Sequence, residues 1–312
     1  MGYGHSHEGH THAHVVTDDT DARRLTTGLA LIVGFMVVEI VAGILADSLA
    51  LVSDAAHMLT DAGALLLSLV VIRLVRRPAH GNVTFGLRRM EILSAQANGA
   101  TLLVLAGLIV FGAVQRLINP PEPGGWTMVV VAVAGMLVNA VATRELAQAD
   151  RSSMNIEGSY QHLLTDLYAF AATAIAGGIV IATGYGRADP IAALVVAALM
   201  LRAAVGLLRA SGRVLLEMAP PGLDVEEIGN AMARTPHVTE VHDLHVWEIG
   251  SDFPALSAHV LVARDEDCHR IRRELEGLLH ERYGLHHTTL QVDHAQPELH
   301  EIRPLRSDRA DR

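Results

Sequence analysis

Residues 53–71, "SDAAHMLTDAGALLLSLVV", place three ionisable side chains, Asp54, His57 and Asp61, ahead of a long apolar run. Their spacing of i, i+3 and i+7 puts all three on one stripe of a helix. Ionisable groups at membrane depth are costly and usually mark a functional site. An interfacial helix end would explain Asp54, but it explains the other two poorly because apolar residues continue beyond them. The stretch predicts a membrane-spanning helix with functional polar residues on one face.

The rest of the chain has the composition of a membrane protein. Of its 312 residues, 50% are hydrophobic, and the mean hydropathy is +0.31. About 20 apolar residues span a bilayer, and six stretches approach or exceed that length. The predicted spans are 25–46, 49–75, 91–118, 126–147, 158–184 and 189–209. We therefore expect an all-α bundle of six transmembrane helices over 23–212.

Arginines set the expected orientation, because positive residues are enriched in cytoplasmic connections. Those before span 1, in the 2–3 and 4–5 connections and after span 6 are Arg23, Arg24, Arg73, Arg76, Arg77, Arg88, Arg89, Arg144, Arg151, Arg209 and Arg213. The opposite connections offer only Arg116 and Arg187. We expect both termini in the cytoplasm. The net charge of −10 lies mainly in the tails, and no basic patch suggests a nucleic-acid partner.

A soluble domain is predicted over 213–300. Amphipathic segments at 224–235 and 267–284 predict helices, and β-rich segments at 238–250, 255–263 and 286–294 predict strands. The order αββαβ predicts a small cytoplasmic α+β domain with a ferredoxin-like arrangement. A core of about 85 residues is thin, which favours dimerisation. The single cysteine, Cys268, excludes an intramolecular disulfide and fits a reducing compartment.

Both ends of the chain are predicted to be disordered, over 1–22 and 301–312. The N-terminal segment interleaves its histidines with Gly, Ser and Thr, at His5, His7, His10, His12 and His14. Such a segment cannot build a core, and its composition favours a metal-collecting tract. An expression tag would have an uninterrupted run of histidines.

The pentapeptide of span 2 that joins His57 to Asp61, "HMLTD", is nearly repeated in span 5 as "HLLTD". There His162 and Asp166 are spaced i, i+4, again on one face. Two such helices facing each other would gather two imidazoles and two carboxylates, a donor set that suits tetrahedral Zn²⁺. One His-x-x-x-Asp is weak evidence, but two in separate spans are strong evidence for an intramembrane metal site.

Other functions fit this pattern less well. A structural zinc site is usually Cys-rich and lies in a soluble domain, and a metalloprotease would need His-Glu-x-x-His. A proton pump has no evident need for paired histidines. A membrane-anchored metal sensor would need only a site in the soluble domain. The paired ligands therefore favour a transporter over an enzyme or a sensor.

Further polar residues lie within the predicted spans. Glu39, Asn98, Asn139 and Asn155 either line the same cavity or form hydrogen bonds between helices. In the soluble domain, alternation along the strands places His242 and His259 on one side with Asp293. A cytoplasmic metal site and an ordinary surface or core role both remain open for each of these histidines.

Four motifs resemble those of the cation diffusion facilitator family, in particular its bacterial zinc-transporting members. They are "DSLALVSDAAHMLTD" (47–61), "FGLRRMEILSA" (85–95), "NIEGSYQHLLTD" (155–166) and "VHDLHVWEIG" (241–250). The resemblance implies a homodimeric exporter in the bacterial cytoplasmic membrane that moves Zn²⁺ in exchange for protons. It implies alternating access around one transport site, formed by His57, Asp61, His162 and Asp166. It implies no cofactor, with Zn²⁺ as substrate and regulatory ligand and Cd²⁺, Co²⁺ or Ni²⁺ as further cargo.

The same resemblance implies further metal sites outside the membrane. The positions that match the family's cytoplasmic ligands are His242, His259, His269 and Asp293. The sequence departs from the pattern at Gln291, where some members have a ligating histidine. A site in the 2–3 connection occurs in some members, and His80 is the candidate ligand here.

Overall fold

Six long helices form the first part of the chain in the computed structural model, which describes residues 15–45, 49–119 and 125–295. They are α1 Val15–Leu45, α2 Leu49–Val75, α3 Arg89–Ile118, α4 Gly125–Ala147, α5 Met154–Thr183 and α6 Ala188–Leu215. Among the described residues, α1 and α3 to α6 are each long and apolar enough to cross a membrane. Helix α2 contains residues 53–71, with the three ionisable side chains of that segment. The predicted six-helix bundle followed by an α+β domain is confirmed.

The helices extend beyond several predicted spans because backbone hydrogen bonding continues past the apolar segment. Helix α6 ends at Leu215 rather than at 209. The prediction that 15–22 belongs to a disordered tail is wrong, since α1 begins at Val15. The buried Asp21 accepts a hydrogen bond from the backbone N–H of Asp150 at 3.2 Å, which fixes this part of the helix. The N-terminal histidines and the predicted tail 301–312 lie outside the described residues.

Small residues allow the helices of the bundle to approach closely. A Cβ at Gly99 of α3 would lie 3.2 Å from Leu207 of α6, and a Cβ at Gly135 of α4 would lie 2.4 Å from Phe170 of α5. The apolar cluster that α1, α2, α4 and α5 share includes Leu25, Ile32, Met58, Leu65, Leu146, Ile156 and Leu163. Helix α5 is therefore packed tightly on one side, which fixes the polar face on its other side.

Ion pairs join α3 to α6 near both of their ends. Arg89 lies 3.0 Å from Glu217, directly after α6, and Arg116 lies 3.1 Å from Asp189 in its first turn. These pairs are partly exposed, so each contributes little to stability on its own. Their placement indicates that the two helices run antiparallel along their full length.

The chain divides into two compact units. One runs to Met218 and includes Glu248–Phe253, and the other comprises Ala219–Trp247 and the described residues from Pro254 onward. The second unit contains α7 Val225–Ala233, β1 Val238–Glu248 up to Trp247, β2 Pro254–Val262, α8 Cys268–Tyr283 and β3 His287–His294. The predicted order αββαβ is confirmed.

The sheet of the second unit has the strand order β1-β2-β3. Strands β2 and β3 are parallel, and Ala255 lies opposite His287. Both helices contribute to one apolar cluster with the sheet, formed by Ile228, Met232, Val246, Leu256, Ala258, Val260, Val262, Ile271, Leu275, Leu279 and Leu285. The helix α8 begins at the capping carboxylate of Asp267 and ends at Gly284, whose φ of +67° favours glycine.

Candidate metal centre

Three predicted ligands meet inside the helix bundle. Nε2 of His162 on α5 lies 2.9 Å from Oδ1 of Asp61 on α2 and 3.9 Å from Oδ2 of Asp166 on α5. One ligand atom from each residue lies within 4.8 Å of the others. All three side chains are buried. Within the described part of the chain, this is the one group of three or more His, Cys, Asp or Glu side chains with such spacing.

The distances match a small tetrahedral cation. A Zn²⁺ ion with ligands at about 2.0–2.1 Å places neighbouring ligand atoms about 3.3 Å apart. The two separations from His162 Nε2, 2.9 and 3.9 Å, bracket that value. A shift of about half an ångström in each carboxylate would bring both separations from Nε2 to that value. Two carboxylates would also neutralise a divalent charge, which a buried cation requires.

Local helical geometry creates this arrangement. His162 and Asp166 are one turn apart on the same face of α5, as the spacing predicts. Helix α2 presents Asp61 toward that face while its neighbours Met58 and Leu65 pack into the apolar cluster. The centre thus lies between this apolar cluster and further polar side chains of α2 and α5. Within the described residues, Nδ1 of His162 has no hydrogen-bond partner.

His57, the fourth predicted ligand, lies one helical turn before Asp61 in α2. Its side chain lies outside the described residues, as do those of the other α2 positions up to 57, Asp54 included. The structure therefore brings together three of the four predicted transport ligands. The fourth stays a prediction.

A second polar contact joins α2 to α5 beyond the centre. Asn155 donates a hydrogen bond to the backbone carbonyl of Ser68 at 3.0 Å, and the hydroxyls of Ser68 and Ser159 are hydrogen-bonded to each other. Asn155 was predicted to line a cavity or to bond between helices, and it bonds between helices. Ser68 was missed. The signal was its position seven residues after Asp61, which places both on one face of α2.

The cytoplasmic candidates lie near one another only in part. The rings of His242 and His259 are 5.4 Å apart between centroids. His259 lies opposite Gln291 in the sheet, so it shares a face with Asp293 two residues later. His269 is exposed in the first turn of α8. Within the described part of one chain, these four do not approach to metal-ligand spacing.

Asp243 completes an exposed cluster that the sequence reasoning missed. It accepts a hydrogen bond from Nε2 of His245 at 2.9 Å, and Nε2 of His259 lies 4.0 Å from its other oxygen. The hydrogen bond from His245 lowers the pKa of Asp243 below its ordinary value, with smaller contributions from His259 and His242. Strict alternation would place Asp243 on the face opposite His242. Its φ of +52° turns the backbone instead.

His80, the candidate in the 2–3 connection, is exposed. Its Nδ1 lies 2.9 Å from the carbonyl oxygen of Pro78, and its backbone forms an isolated bridge with Val83. Among the described residues, it is not grouped with other potential ligands. The loop site stays a prediction without support from neighbouring side chains.

Two family models match the chain. Residues 25–216 match the cation efflux transmembrane domain, and residues 220–295 match the cytoplasmic domain of cation efflux proteins. The chain is 38% identical to the zinc transporter ZitB of Escherichia coli strain K12 over 292 residues, covering 93% of this chain and 92% of the relative. It is 34% identical over 290 residues to the cadmium, cobalt and zinc/H(+)-K(+) antiporter of Bacillus subtilis strain 168, covering 91% and 92%.

One solved structure, the metal-bound C-terminal domain of the CzcD transporter from Cuprividus metallidurans, is 28% identical and covers 22% of this chain and 97% of that chain, with a TM-score of 0.22. The evidence for the family comes from the models and the full-length relatives. The buried Asp61–His162–Asp166 centre lies within the matched transmembrane domain. The chain is a multi-pass membrane protein and belongs to the cation efflux family of metal cation transporters.

Proposed function

We propose that this protein exports Zn²⁺ from the bacterial cytoplasm in exchange for protons. The observation that carries the proposal is the buried grouping of Asp61, His162 and Asp166 between two membrane helices. Nitrogen and carboxylate donors with this spacing suit zinc. The full transport site contains His57 as the fourth ligand, so that the site is His₂Asp₂. Cd²⁺, Co²⁺ and Ni²⁺ share enough of zinc's ligand preference to be further cargo.

Proton exchange follows from the chemistry of the ligands. An imidazole nitrogen ligates a metal only after it loses its proton, and a carboxylate ligates in its ionised form. In this mechanism Zn²⁺ binds from the cytoplasm and displaces protons, and the bundle then opens to the other side. Protons from that side compete for His57 and His162, and the metal leaves.

We further propose a homodimer in the bacterial cytoplasmic membrane with both termini in the cytoplasm. The excess of arginine in the predicted cytoplasmic connections supports this orientation. The match of residues 220–295 to a cytoplasmic domain model and the thin core of this domain support dimerisation through it. Zinc bound at His242, His259, His269 and Asp293 acts as a regulatory ligand. The cluster of His242, His259 and Asp243 supports this role.

A gradient-reversal experiment tests the antiport. Purified protein is reconstituted into lipid vesicles that contain a zinc indicator, and a pH gradient is imposed across the vesicle membrane in either direction. We expect zinc to move against the imposed proton gradient and the direction of zinc flux to reverse with it. Zinc flux that does not depend on the pH gradient would overturn the proposed proton exchange but leave the proposed zinc transport intact. Removal of residues 213–312 tests the regulatory role, and we expect a weaker dependence of the flux on cytoplasmic zinc.

A further inference from the structure

Two polar side chains of α4, Asn139 and Thr143, are buried in the bundle without an evident function. Asn139 is 0% exposed and Thr143 is 7% exposed. Among the described residues, Nδ2 and Oδ1 of Asn139 and Oγ1 of Thr143 have no hydrogen-bond partner. A buried amide or hydroxyl that bonds to nothing destabilises the fold. The presence of two such side chains one turn apart therefore calls for a function that uses their hydrogen-bonding groups.

Thr143 differs from other buried hydroxyl residues of the bundle in how it bonds. The hydroxyls of Thr165 and Ser211 each donate to the backbone carbonyl four residues earlier in their own helix, at 2.7 and 2.8 Å. This bond is the usual way in which a helical hydroxyl is satisfied. Thr143 makes no such bond in the described structure, so its oxygen can accept a hydrogen bond from a neighbouring helix.

Contacts between α4 and α5 define which residues of the two helices lie opposite each other. A Cβ at Gly135 of α4 would lie 2.4 Å from Phe170 of α5. A Cβ at Gly125, ten residues earlier in α4, would lie 3.2 Å from Val180, ten residues later in α5. The helices are therefore antiparallel in a constant register, and their glycines bring the two backbones close together.

The same register continues to the metal centre. One turn beyond the contact of Phe170, it places Asn139 opposite Asp166, and one turn further it places Thr143 opposite His162. Asp166 and Phe170 share a face of α5 because they are one turn apart. His162 shares the face of Val180, about five full turns later. The polar pair of α4 thus lies along the ligand pair of α5.

His162 has a ring nitrogen that needs an acceptor. Its Nε2 lies 2.9 Å from Oδ1 of Asp61, and its Nδ1 has no hydrogen-bond partner among the described residues. When Nε2 of a neutral imidazole binds a metal, Nδ1 carries the proton. Metal-bound histidines almost always donate this proton to an oxygen, and ligating carboxylates also accept hydrogen bonds. Oγ1 of Thr143 is an unused acceptor at the level of His162.

We propose that Asn139 and Thr143 are positioning residues for the two metal ligands of α5. Thr143 accepts a hydrogen bond from Nδ1–H of His162, and the Asn139 amide donates one to the carboxylate of Asp166. This inference rests on the proposed function. Oδ2 of Asp166 lies 3.9 Å from Nε2 of His162, whereas a tetrahedral zinc site requires about 3.3 Å. The ligand side chains therefore rotate as zinc binds, and the two hydrogen bonds hold them in the rotated positions.

The absorption spectrum of bound Co²⁺ tests this role in the full-length protein in detergent, because its bands report the geometry of the ligands. The spectrum of His162→Ala, which lacks the centre, is subtracted to remove metal bound elsewhere. Thr143→Val keeps the size of the side chain but removes the hydroxyl, and Thr143→Ser keeps the hydroxyl. We expect Thr143→Val and Asn139→Leu to bind Co²⁺ about 10–100-fold more weakly, with shifted bands. Thr143→Ser should retain the affinity and bands of wild type.

Thr127→Val is the matched control, since this threonine is exposed in the first turn of α4. It should bind Co²⁺ like wild type. Wild-type affinity and bands in Thr143→Val and Asn139→Leu would overturn the proposal. An equal loss in Thr143→Val and Thr143→Ser would overturn it for Thr143, because the loss would then come from packing and not from the hydroxyl.

A second test uses the wild-type protein and so stands even if a variant at 139 or 143 does not fold. Nuclear magnetic resonance of isotopically labelled histidine reports which ring nitrogen carries the proton, and His162→Ala assigns the signal. In the zinc-loaded protein we expect Nδ1 of His162 to be protonated and hydrogen-bonded, with the metal on Nε2. A protonated Nε2 with the metal on Nδ1 would overturn the proposal, because Nδ1 would then have no proton to donate to Thr143.

The two hypotheses fail separately, since these tests measure metal binding and need no transport. Unchanged Co²⁺ affinity and bands in both α4 variants would overturn the positioning role, even if wild-type vesicles transport zinc. Weakened binding with shifted bands, in a protein whose wild type moves no zinc across vesicles, would support the positioning role and overturn the proposed function.

Discussion

Nε2 of His162 lies 2.9 Å from Oδ1 of Asp61, and this contact joins the two nearly repeated pentapeptides across α2 and α5. Seven residues along each helix, Ser68 and Asn155 form the next buried contact of the same pair. Helices α2 and α5 are therefore linked by two buried polar contacts at different positions along their length. The first contact joins an imidazole to a carboxylate, two groups that commonly ligate metals, and the second is made of neutral groups that hold a cation less firmly.

Asp61→Asn should abolish zinc transport while preserving the fold. The amide has nearly the size of the carboxylate but removes its negative charge, so a buried dication loses a ligand and half of its counter-charge. Loss of a direct ligand should weaken zinc binding by more than about 100-fold, since outer-shell changes alone cost 10–100-fold. Calorimetric titration measures the loss. The control is Asp189→Asn, which breaks only the partly exposed pair with Arg116; equal affinity in both variants would contradict the site.

Gly135→Ala should destabilise the bundle. The added Cβ would lie 2.4 Å from the Phe170 ring, closer than such atoms approach, so α4 and α5 must shift. Overpacking of this kind costs about 1–3 kcal/mol, which a lower thermal midpoint in detergent would reveal. Phe170→Leu should restore stability in the double variant. Gly107→Ala, with no atom within 4 Å of the new Cβ, should be neutral or slightly stabilising.

Asp267→Asn should lower the thermal midpoint in a pH-dependent manner. The Asp267 carboxylate accepts hydrogen bonds from the backbone N–H groups of Arg270 and His269. The bond from Arg270 lowers the pKa of Asp267. A carboxyl whose pKa is lowered by folding stabilises the protein above its unfolded pKa, about 4, and this stabilisation is lost as the pH falls through the folded value.

We therefore expect the Asp267→Asn variant to unfold a few degrees below wild type at pH 7. The gap should narrow as the pH falls below about 4 and through the lowered pKa of Asp267, because the wild-type carboxyl then becomes protonated too. Asp265→Asn, an exposed change in the same turn, is the control. A gap that is independent of pH would mean that the carboxylate charge does not contribute to the cap.

His242→Ala combined with His259→Ala should lower the number of zinc ions bound per subunit. The two ring centroids are 5.4 Å apart, and both rings lie beside Asp243. Their nitrogens are therefore the candidate ligands of a regulatory zinc site. Elemental analysis after equilibrium dialysis measures the stoichiometry in a protein that also carries His162→Ala, which removes binding at the transport site. His280→Ala is a matched exposed control whose ring contacts His286. An unchanged stoichiometry would exclude these histidines as ligands.

Hydropathy predicted the bundle, amphipathic and β-rich segments predicted the order of the soluble domain, and the repeated His-x-x-x-Asp spacing predicted the meeting of Asp61 with His162. Hydropathy measures how much of a helix suits lipid, which is why it missed the helical residues after Val15. The second buried contact between α2 and α5 could not be predicted. A serine such as Ser68 is common in membrane helices, and only the structure shows that Asn155 lies opposite it. Asp243 was missed because a positive φ breaks the alternation on which strand faces are assigned.

The most direct measurement is zinc uptake into vesicles under an imposed pH gradient, comparing wild type with His162→Ala and with Gln161→Ala. We predict gradient-driven uptake for wild type and for the Gln161 variant, whose side chain bonds to Glu157 outside the centre. The His162 variant should show only background leak, although it folds and inserts like wild type. Uptake by the His162 variant at the wild-type rate would mean that zinc crosses the membrane without the Asp61–His162–Asp166 centre.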